Sequence, residues 1–244
     1  MRIVHISDTH GYKYHQHVRV PECDVLVHTG DFGWYTTTIG ELTEFLIWFE
    51  KQPAKKKIFI AGNHDLLMDR KWIAKRDPIL KLIWQQMYDD ARKLIPNYDV
   101  IYLENSEYVY EGVKFWGSPY SPTFGNDWAF NADRGEQIRK IWAKIPSDVN
   151  VILTHTPVYG YLDDVDNKYM KAGETDHHKG CEDLLNIIKK RLLKLKLHCG
   201  GHIHDRVGII QAKMSNKRRV LFSNATVIAN DCTQLITDPF VITI

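Results

Sequence analysis

Five short segments carry side chains that could together bind a metal and move a proton. They are Asp8-Thr9-His10, Gly30-Asp31, Gly62-Asn63-His64-Asp65, Thr154-His155 and Gly201-His202-Ile203-His204. Carboxylate, imidazole and carboxamide oxygen suit manganese, zinc, iron or nickel rather than soft copper(I) or an iron–sulfur cluster. A single tetrahedral zinc is satisfied by four ligands. The larger set of Asp8, His10, Asp31, Asn63, His155, His202 and His204 suits two divalent cations about 3.5–4 Å apart that share a carboxylate. Each segment alone says little. Asp-x-His is common in surface loops, Gly-Asn-His-Asp suits a turn because Asn and Asp tolerate left-handed backbone, and His202 and His204 would share one side of a strand. The order and placement of the whole set carry the reading.

Those segments all follow short apolar runs rich in β-branched residues. Arg2 to Ser7, Asp24 to Thr29, Lys57 to Ala61, Asn150 to Thr154 and Leu195 to Cys199 read as strands. The carboxyl ends of strands in an open α/β sheet converge on one edge, so Asp8 and His204 can meet there despite their separation in sequence. Gly30, Gly62 and Gly201 would let the backbone turn sharply after a strand.

Helical patterns separate the strands. Leu42, Phe45, Leu46 and Phe49 give a helix from Thr38 to Lys51 one apolar face, and Pro53 marks its end. Leu80, Ile83, Trp84, Met87, Ala91 and Leu94 recur at helical spacing between Leu66 and Ile95, a region that Asp77-Pro78 splits and that is expected to cap one face of the sheet. Further helices are expected from Asp133 to Ile145 and from Cys181 to Leu193. Between Val100 and Gly117 the pattern turns to antiparallel strands with a hairpin at Glu111-Gly112. Val207 to Gln211, Arg219 to Ser223 and Phe240 to Ile244 read as closing strands. The sum is an α/β fold of two packed sheets flanked by helices. With no repeat, low-complexity tract or linker, it is read as one domain over residues 1–244.

The totals exclude some classes. A content of 44% hydrophobic and 25% charged residues fits a globular protein with a substantial core. The net charge of +2 supplies no overall field to draw in nucleic acid or an anionic membrane, so any preference for anions must be local. Cys23, Cys181, Cys199 and Cys232 form no CxxC pair, which argues against a disulfide framework or thiolate zinc and for reduced thiols. Met1-Arg2 runs straight into an apolar strand, leaving no signal-peptide core, and no apolar stretch reaches the ~18 residues of a membrane span. A cytoplasmic location and no membrane partner are expected.

The five segments in this order resemble the signature of the calcineurin-like metallophosphoesterase superfamily. The resemblance implies a four-layer αββα fold and a phosphoesterase using two divalent metal ions, manganese first, with iron, zinc or nickel as alternatives. It places Asp8, His10, Asp31 and His204 on one ion and Asp31, Asn63, His155 and His202 on the other, with Asp31 as bridge. Thr154 departs from the pattern, which has glycine before that histidine. Ser7-Asp8-Thr9-His10, His28-Thr29-Gly30-Asp31-Phe32, Gly117-Ser118-Pro119, Trp128-Ala129-Phe130-Asn131 and Thr154-His155-Thr156-Pro157 are also similar to the small metallophosphoesterase-domain-containing proteins first known from brain. Those act on cyclic nucleotide-type phosphodiesters. Some lack the first histidine of Gly-His-x-His and are weak enzymes, whereas His202 is present here and implies full activity.

By that resemblance the reaction is in-line attack by a metal-bridging hydroxide on a small, possibly cyclic, nucleotide diester. His64 would protonate the leaving group, with Asp65 or another acceptor orienting its ring. The alternative for His64 is a purely structural role. Tyr120, Phe124 and Trp128, with Phe130, form an aromatic segment that either stacks a nucleobase or packs in the core. Other activities open to the superfamily are nuclease and protein phosphatase, and a metal-binding scaffold with little turnover is the rival outside enzymes. Nucleic acid is a conceivable partner that nothing in the sequence indicates, and the oligomeric state is not readable.

Several features read as incidental. Asp31-Phe32-Gly33 imitates a kinase tripeptide without the rest of that machinery. His15, His17, His177 and His178 read as solvated loop histidines, and His28 as packed within its strand. Lys55-Lys56-Lys57 and Lys217-Arg218-Arg219 read as solvated strand edges.

Overall fold

Thr38 opens the first long helix with a reciprocal cap: its hydroxyl accepts the Glu41 N–H at 3.2 Å while the Glu41 carboxylate accepts the Thr38 N–H at 3.1 Å. The computed structural model describes residues 1–35, 38–125, 127–170, 173–214, 217–231 and 233–244, with Tyr12 through its backbone alone. Cys232 lies outside the described residues; Cys23, Cys181 and Cys199 are buried free thiols.

In chain order, β1 (Arg2–Ile6), α1 (Tyr12–His15), β2 (Cys23–Thr29), α2 (Ile39–Glu50) and β3 (Ala54–Ile60) alternate as expected. Then come α3 (Arg70–Ala74), α4 (Pro78–Leu94), β4 (Ile101–Tyr102), β5 (Ser106–Tyr110), β6 (Val113–Ser118), β7 (Ser121–Pro122) and β8 (Asn131–Ala132). The remainder is α5 (Glu136–Trp142), β9 (Val151–Thr154), α6 (Glu182–Lys190), β10 (Leu197–Gly200), β11 (Gly208–Lys213), β12 (Arg219–Asn224) and β13 (Phe240–Thr243).

One sheet has the order β13-β1-β2-β3-β4, with β1 to β4 parallel and β13 antiparallel at the edge. The other runs β11-β12-β10-β9-β6-β5, four parallel strands between antiparallel edges. Alternation along the strands sorts the side chains between two interiors. Ile3, Val25, Val27, Ile58 and Ile60 of the first sheet share a buried cluster with Phe115, Val151, Leu153, Leu197 and Cys199 of the second. On the outer face of the first sheet Phe59 meets Phe45 of α2, ring centroids 5.3 Å apart. On the outer face of the second, Trp116 meets Trp142 of α5 at 6.2 Å. The architecture is therefore the expected four-layer αββα sandwich.

The strand ends converge, but from two sheets rather than from one open edge. β1, β2 and β3 lie in one sheet and β9 and β10 in the other. A backbone stitch ties them: the Ser7 N–H donates to the Ala225 carbonyl at 2.9 Å and the Val227 N–H to the Ser7 carbonyl at 3.1 Å. The hairpin at Glu111-Gly112 forms with both residues at positive φ, 47° and 76°, as a tight two-residue turn requires. The expectation for the region around α4 holds only in part. Pro78 does start a new helix, but Leu80 and Ile83 are exposed, and packing against the core begins at Trp84 and continues through Met87, Ala91 and Leu94. Among the described residues no helix is long and apolar enough to cross a membrane.

Phe45 is 1% exposed and stacks on Phe32 and Phe49 as well as meeting Phe59. Phe45→Ala should lower unfolding free energy by about 3–5 kcal/mol, the usual loss for a buried aromatic. Urea unfolding followed by circular dichroism measures this, and an unchanged midpoint would refute the packing described.

Candidate metal centre

Asp8 and His10 leave β1, Asp31 leaves β2, Asn63 and His64 leave β3, His155 leaves β9, and His202 and His204 follow β10. The backbone there is unusual. Asp8, His10, Asp31 and His202 all have positive φ, at 55°, 45°, 54° and 69°, a region that side chains other than glycine rarely adopt. Such strain persists where the surroundings over-determine it and concentrates at functional sites. Gly30 shares it, at φ +98°, so a sharp turn does explain that glycine. Gly62 and Gly201 have another reason. A Cβ on Gly62 would fall against the Asp31 carboxylate and lie 2.8 Å from His155 Cε1, and one on Gly201 would fall on Ser7 Oγ and the Asp8 carboxylate. Only hydrogen fits between these loops.

The side chains form three linked donor groups: Asp8, His10 and His204; His10, Asp31 and His64; and Asp31, His155 and His202. Asn63 joins through its side-chain oxygen, 2.9 Å from His155 Nε2. All seven expected ligands and His64 thus come together. Asp31 is central: one carboxylate oxygen accepts the His64 N–H at 2.8 Å and the other lies 3.2 Å from His155 Nε2.

Backbone carbonyls fix the imidazoles. His155 Nδ1–H donates to the Thr29 carbonyl at 2.8 Å, which leaves Nε2 facing Asp31 and Asn63. His204 Nδ1 donates to the Ala229 carbonyl at 3.3 Å, leaving Nε2 at 3.5 Å from Asp8. His64 Nδ1 donates to the Trp34 carbonyl at 2.6 Å. His10 is 4% exposed, and both its ring nitrogens lack a protein partner. Buried polar atoms are ordinarily satisfied, so these orphaned nitrogens and the mixed oxygen and nitrogen donors fit a divalent metal.

Two buried carboxylates side by side would normally resist ionisation. Burial does push Asp8 and Asp31 upward, but the surrounding histidines outweigh it and hold both well below the usual carboxylate range. His155 shows the converse: burial opposes its charge, yet contact with Asp31 raises it to about 9. His10 and His202 are lowered, chiefly by burial, to about 4 and about 3. Beneath the site, His5 bridges Ser223 Oγ and Thr29 Oγ1 at 2.8 and 2.9 Å, and His198 meets Thr154 Oγ1 at 2.8 Å. Thr154 also donates to the Thr156 carbonyl at 2.6 Å, so the hydroxyl that replaces glycine here braces the turn carrying His155.

Other expectations need correction. Asp65 does not orient the His64 ring; its carboxylate accepts the backbone N–H groups of Asp31, Gly33 and Gly62 at 2.9, 3.2 and 2.7 Å. It holds the loops in register, and the Trp34 carbonyl takes the orienting role. Tyr120 lies in the core against Phe130 at 5.5 Å, whereas Phe124 and Trp128 border the site, 4.6 Å from His202 and 4.5 Å from His64. His15 is buried and stacked on Trp48, and His178 pairs with Asp163 at 2.7 Å; neither joins a donor group.

Trp34 and Tyr35 were not singled out by the sequence. Tyr35 stacks on Trp128 at 5.7 Å and 9°, and Trp34 lies edge-on to His10 at 5.6 Å. Two large exposed aromatics directly after Gly-Asp-Phe-Gly were the available signal. Thr226, whose hydroxyl donates to Asp8 at 2.9 Å, carried none.

A family model described as calcineurin-like phosphoesterase matches residues 1–206. The chain belongs to this family. The donor groups above are the candidates of this calcineurin-like phosphoesterase chain for a divalent metal. It is 35% identical over 219 residues to metallophosphoesterase domain-containing protein 1 of Homo sapiens, an alignment covering 86% of this chain and 62% of that protein. To a UPF0046 protein of Caenorhabditis elegans it is 34% identical over 214 residues, 86% of this chain and 66% of that one. The chain thus spans less than two thirds of the length of these curated relatives. The crystal structure of TT1561 of Thermus thermophilus shares the fold, with a TM-score of 0.52 at 12% identity over 93% of this chain and 90% of that one.

Gly62→Ala should disturb the centre by forcing Asp31 aside and should cost about 1–3 kcal/mol from overpacking. Gly40→Ala is the control. Its Cβ would meet only Thr38 Oγ1, at 3.7 Å, so the helix should gain up to about 1 kcal/mol. Equal unfolding midpoints for the two variants would contradict the close approach of the loops.

Proposed function

We propose that this calcineurin-like phosphoesterase is a phosphodiesterase that hydrolyses small nucleotide esters with two divalent ions. The observation that carries the reading is the Asp31 carboxylate, which belongs to the donor group of His10 and His64 and to that of His155 and His202. Asp8, His10, Asp31 and His204 would hold one ion, and Asp31, Asn63, His155 and His202 the other. When bound, such a pair supplies positive charge for the phosphoryl oxygens and activates water for in-line attack. Manganese is the first candidate, since the donor set mixes carboxylate, carboxamide and imidazole.

The chain's own residues supply the rest. With Nδ1 committed to the Trp34 carbonyl, His64 has Nε2 free to give a proton to the departing oxygen. The half-buried His64 ring sits among Trp34, Tyr35 and Trp128. The stacked rings of Tyr35 and Trp128, continued by Phe124 at 6.1 Å, form an aromatic wall suited to a nucleobase. A single domain is supported by the four continuous layers, and a reducing, cytoplasmic setting by the three buried thiols.

Hydrolysis of bis-p-nitrophenyl phosphate with manganese tests the activity, and chelation should abolish it. His64→Ala should keep both ions yet lose about 10²–10⁴-fold in rate on a diester with a poor leaving group. Undiminished turnover would remove His64 from the reaction. Asp31→Asn should lower metal content at both positions, read by elemental analysis of the purified variant. Retention of two ions per chain would refute a shared carboxylate. Among 2′,3′- and 3′,5′-cyclic nucleotides and phosphomonoesters, the diesters should be preferred.

A further inference from the structure

Trp128 has two neighbourhoods. One side of its surroundings is the metal centre, through His64, and the other is a groove of about 500 Å³ that Trp128 lines with Trp72 and four lysines, Lys71, Lys75, Lys140 and Lys144. The lysines come in two i, i+4 pairs from separate elements. Lys71 and Lys75 belong to α3 and its C-cap, and Lys140 and Lys144 to the last turn of α5 and the residues after it.

The acids around the groove are engaged by other donors and, Glu136 apart, form no ion pair with these lysines among the described residues. Asp69 accepts the Lys71 and Phe130 backbone N–H groups at 2.8 and 2.6 Å. Asp127 is paired with Arg76, one hydrogen bond at 2.9 Å. Asp133 accepts from Thr123 and Gln137 at 2.7 and 2.8 Å. Of the four ammonium groups only Lys140 makes an ion pair among the described residues, with Glu136 at 2.7 Å, and that pair is exposed enough to contribute little. The result is a concave patch in which Lys71, Lys75 and Lys144 have no ion-pair partner among the described residues, beside the Asp69 carboxylate, in a molecule whose net charge is near zero. The basic runs conspicuous in the sequence differ. Lys55 pairs with Asp24 at 2.8 Å, and Arg218 donates to the Leu195 and Ile188 carbonyls.

We propose that this groove is an anion subsite that takes a second phosphate of the substrate, remote from the one being hydrolysed, so that the substrate class is a short single-stranded oligonucleotide. The inference rests on the diesterase reading and deepens it. The aromatic wall of Tyr35, Trp128 and Phe124 stacks a base beside the metal centre, and the chain beyond Trp128 meets lysines instead of solvent. A mononucleotide diester reaches the wall but leaves the lysines unused.

The test uses manganese-loaded protein and a fluorescein-labelled phosphorothioate hexathymidylate, with binding read by anisotropy across a salt series. The double variant Lys75→Gln/Lys144→Gln should bind at least 10-fold more weakly. Its salt slope should fall by about 0.7, the value for one lost single-strand phosphate contact. Turnover of bis-p-nitrophenyl phosphate, which has no second phosphate, should match the wild type, and Lys55→Gln should leave both readouts unchanged. Wild-type affinity and slope in the double variant, or no hexathymidylate binding by the wild-type protein, would overturn the proposal. Absence of bis-p-nitrophenyl phosphate hydrolysis by the wild type would strike the diesterase reading instead, and the binding measurement would still decide the groove.

Discussion

The structure depends on two buried carboxylates, Asp8 and Asp31, whose charged form is favoured by the histidines around them. Removing such charges from solvent costs several kcal/mol each unless partners are close and well aimed. Here the partners arrive from both sheets. His155 and His202 come from the second sheet to Asp31, while His204, Thr226 and the His202 N–H reach Asp8. The sandwich and the centre therefore presuppose each other. The sheets must meet at one end for the charges to be tolerated, and left-handed turns and bare glycines are what let them meet.

A consistent division of labour follows. Groups near the centre that could compete with it are committed elsewhere: Asp65 to three backbone N–H groups, His5 and His198 to hydroxyls, and Thr154 to a carbonyl. Among the described residues near the centre, the Ser7 hydroxyl and His10 are exceptions; His10 is buried with both nitrogens unsatisfied, and a bound cation would repair that deficit. Outside the centre, Asp69 and Asp133 beside the lateral groove accept from backbone and neutral side-chain donors rather than from its lysines. Charge counting along the chain cannot detect such a patch, because what matters is which charged groups the fold brings together.

Much of the fold was legible in the sequence because strand and helix periodicity is local. The α2 face of Leu42, Phe45, Leu46 and Phe49 is buried as its spacing requires. Partition of the strands between two sheets is not local, and the single open edge expected from residue pattern gave way to two facing ends. The donor residues were readable because metal chemistry restricts residue type. Their supporting shell was not: Asp65 follows His64 in sequence, but the turn at that point aims the two side chains in different directions. Tyr120 and Phe124, equally aromatic, parted between core and cleft for the same reason, since orientation after β6 is set by tertiary packing. The lysine groove is assembled from α3 and α5, so no sequence window contains it.

The most direct measurement is electron paramagnetic resonance of the protein loaded with two equivalents of manganese. Two ions sharing the Asp31 carboxylate should give an exchange-coupled spectrum in place of isolated-ion signals. Only uncoupled signals, or manganese left free in solution, would contradict a centre built on that carboxylate.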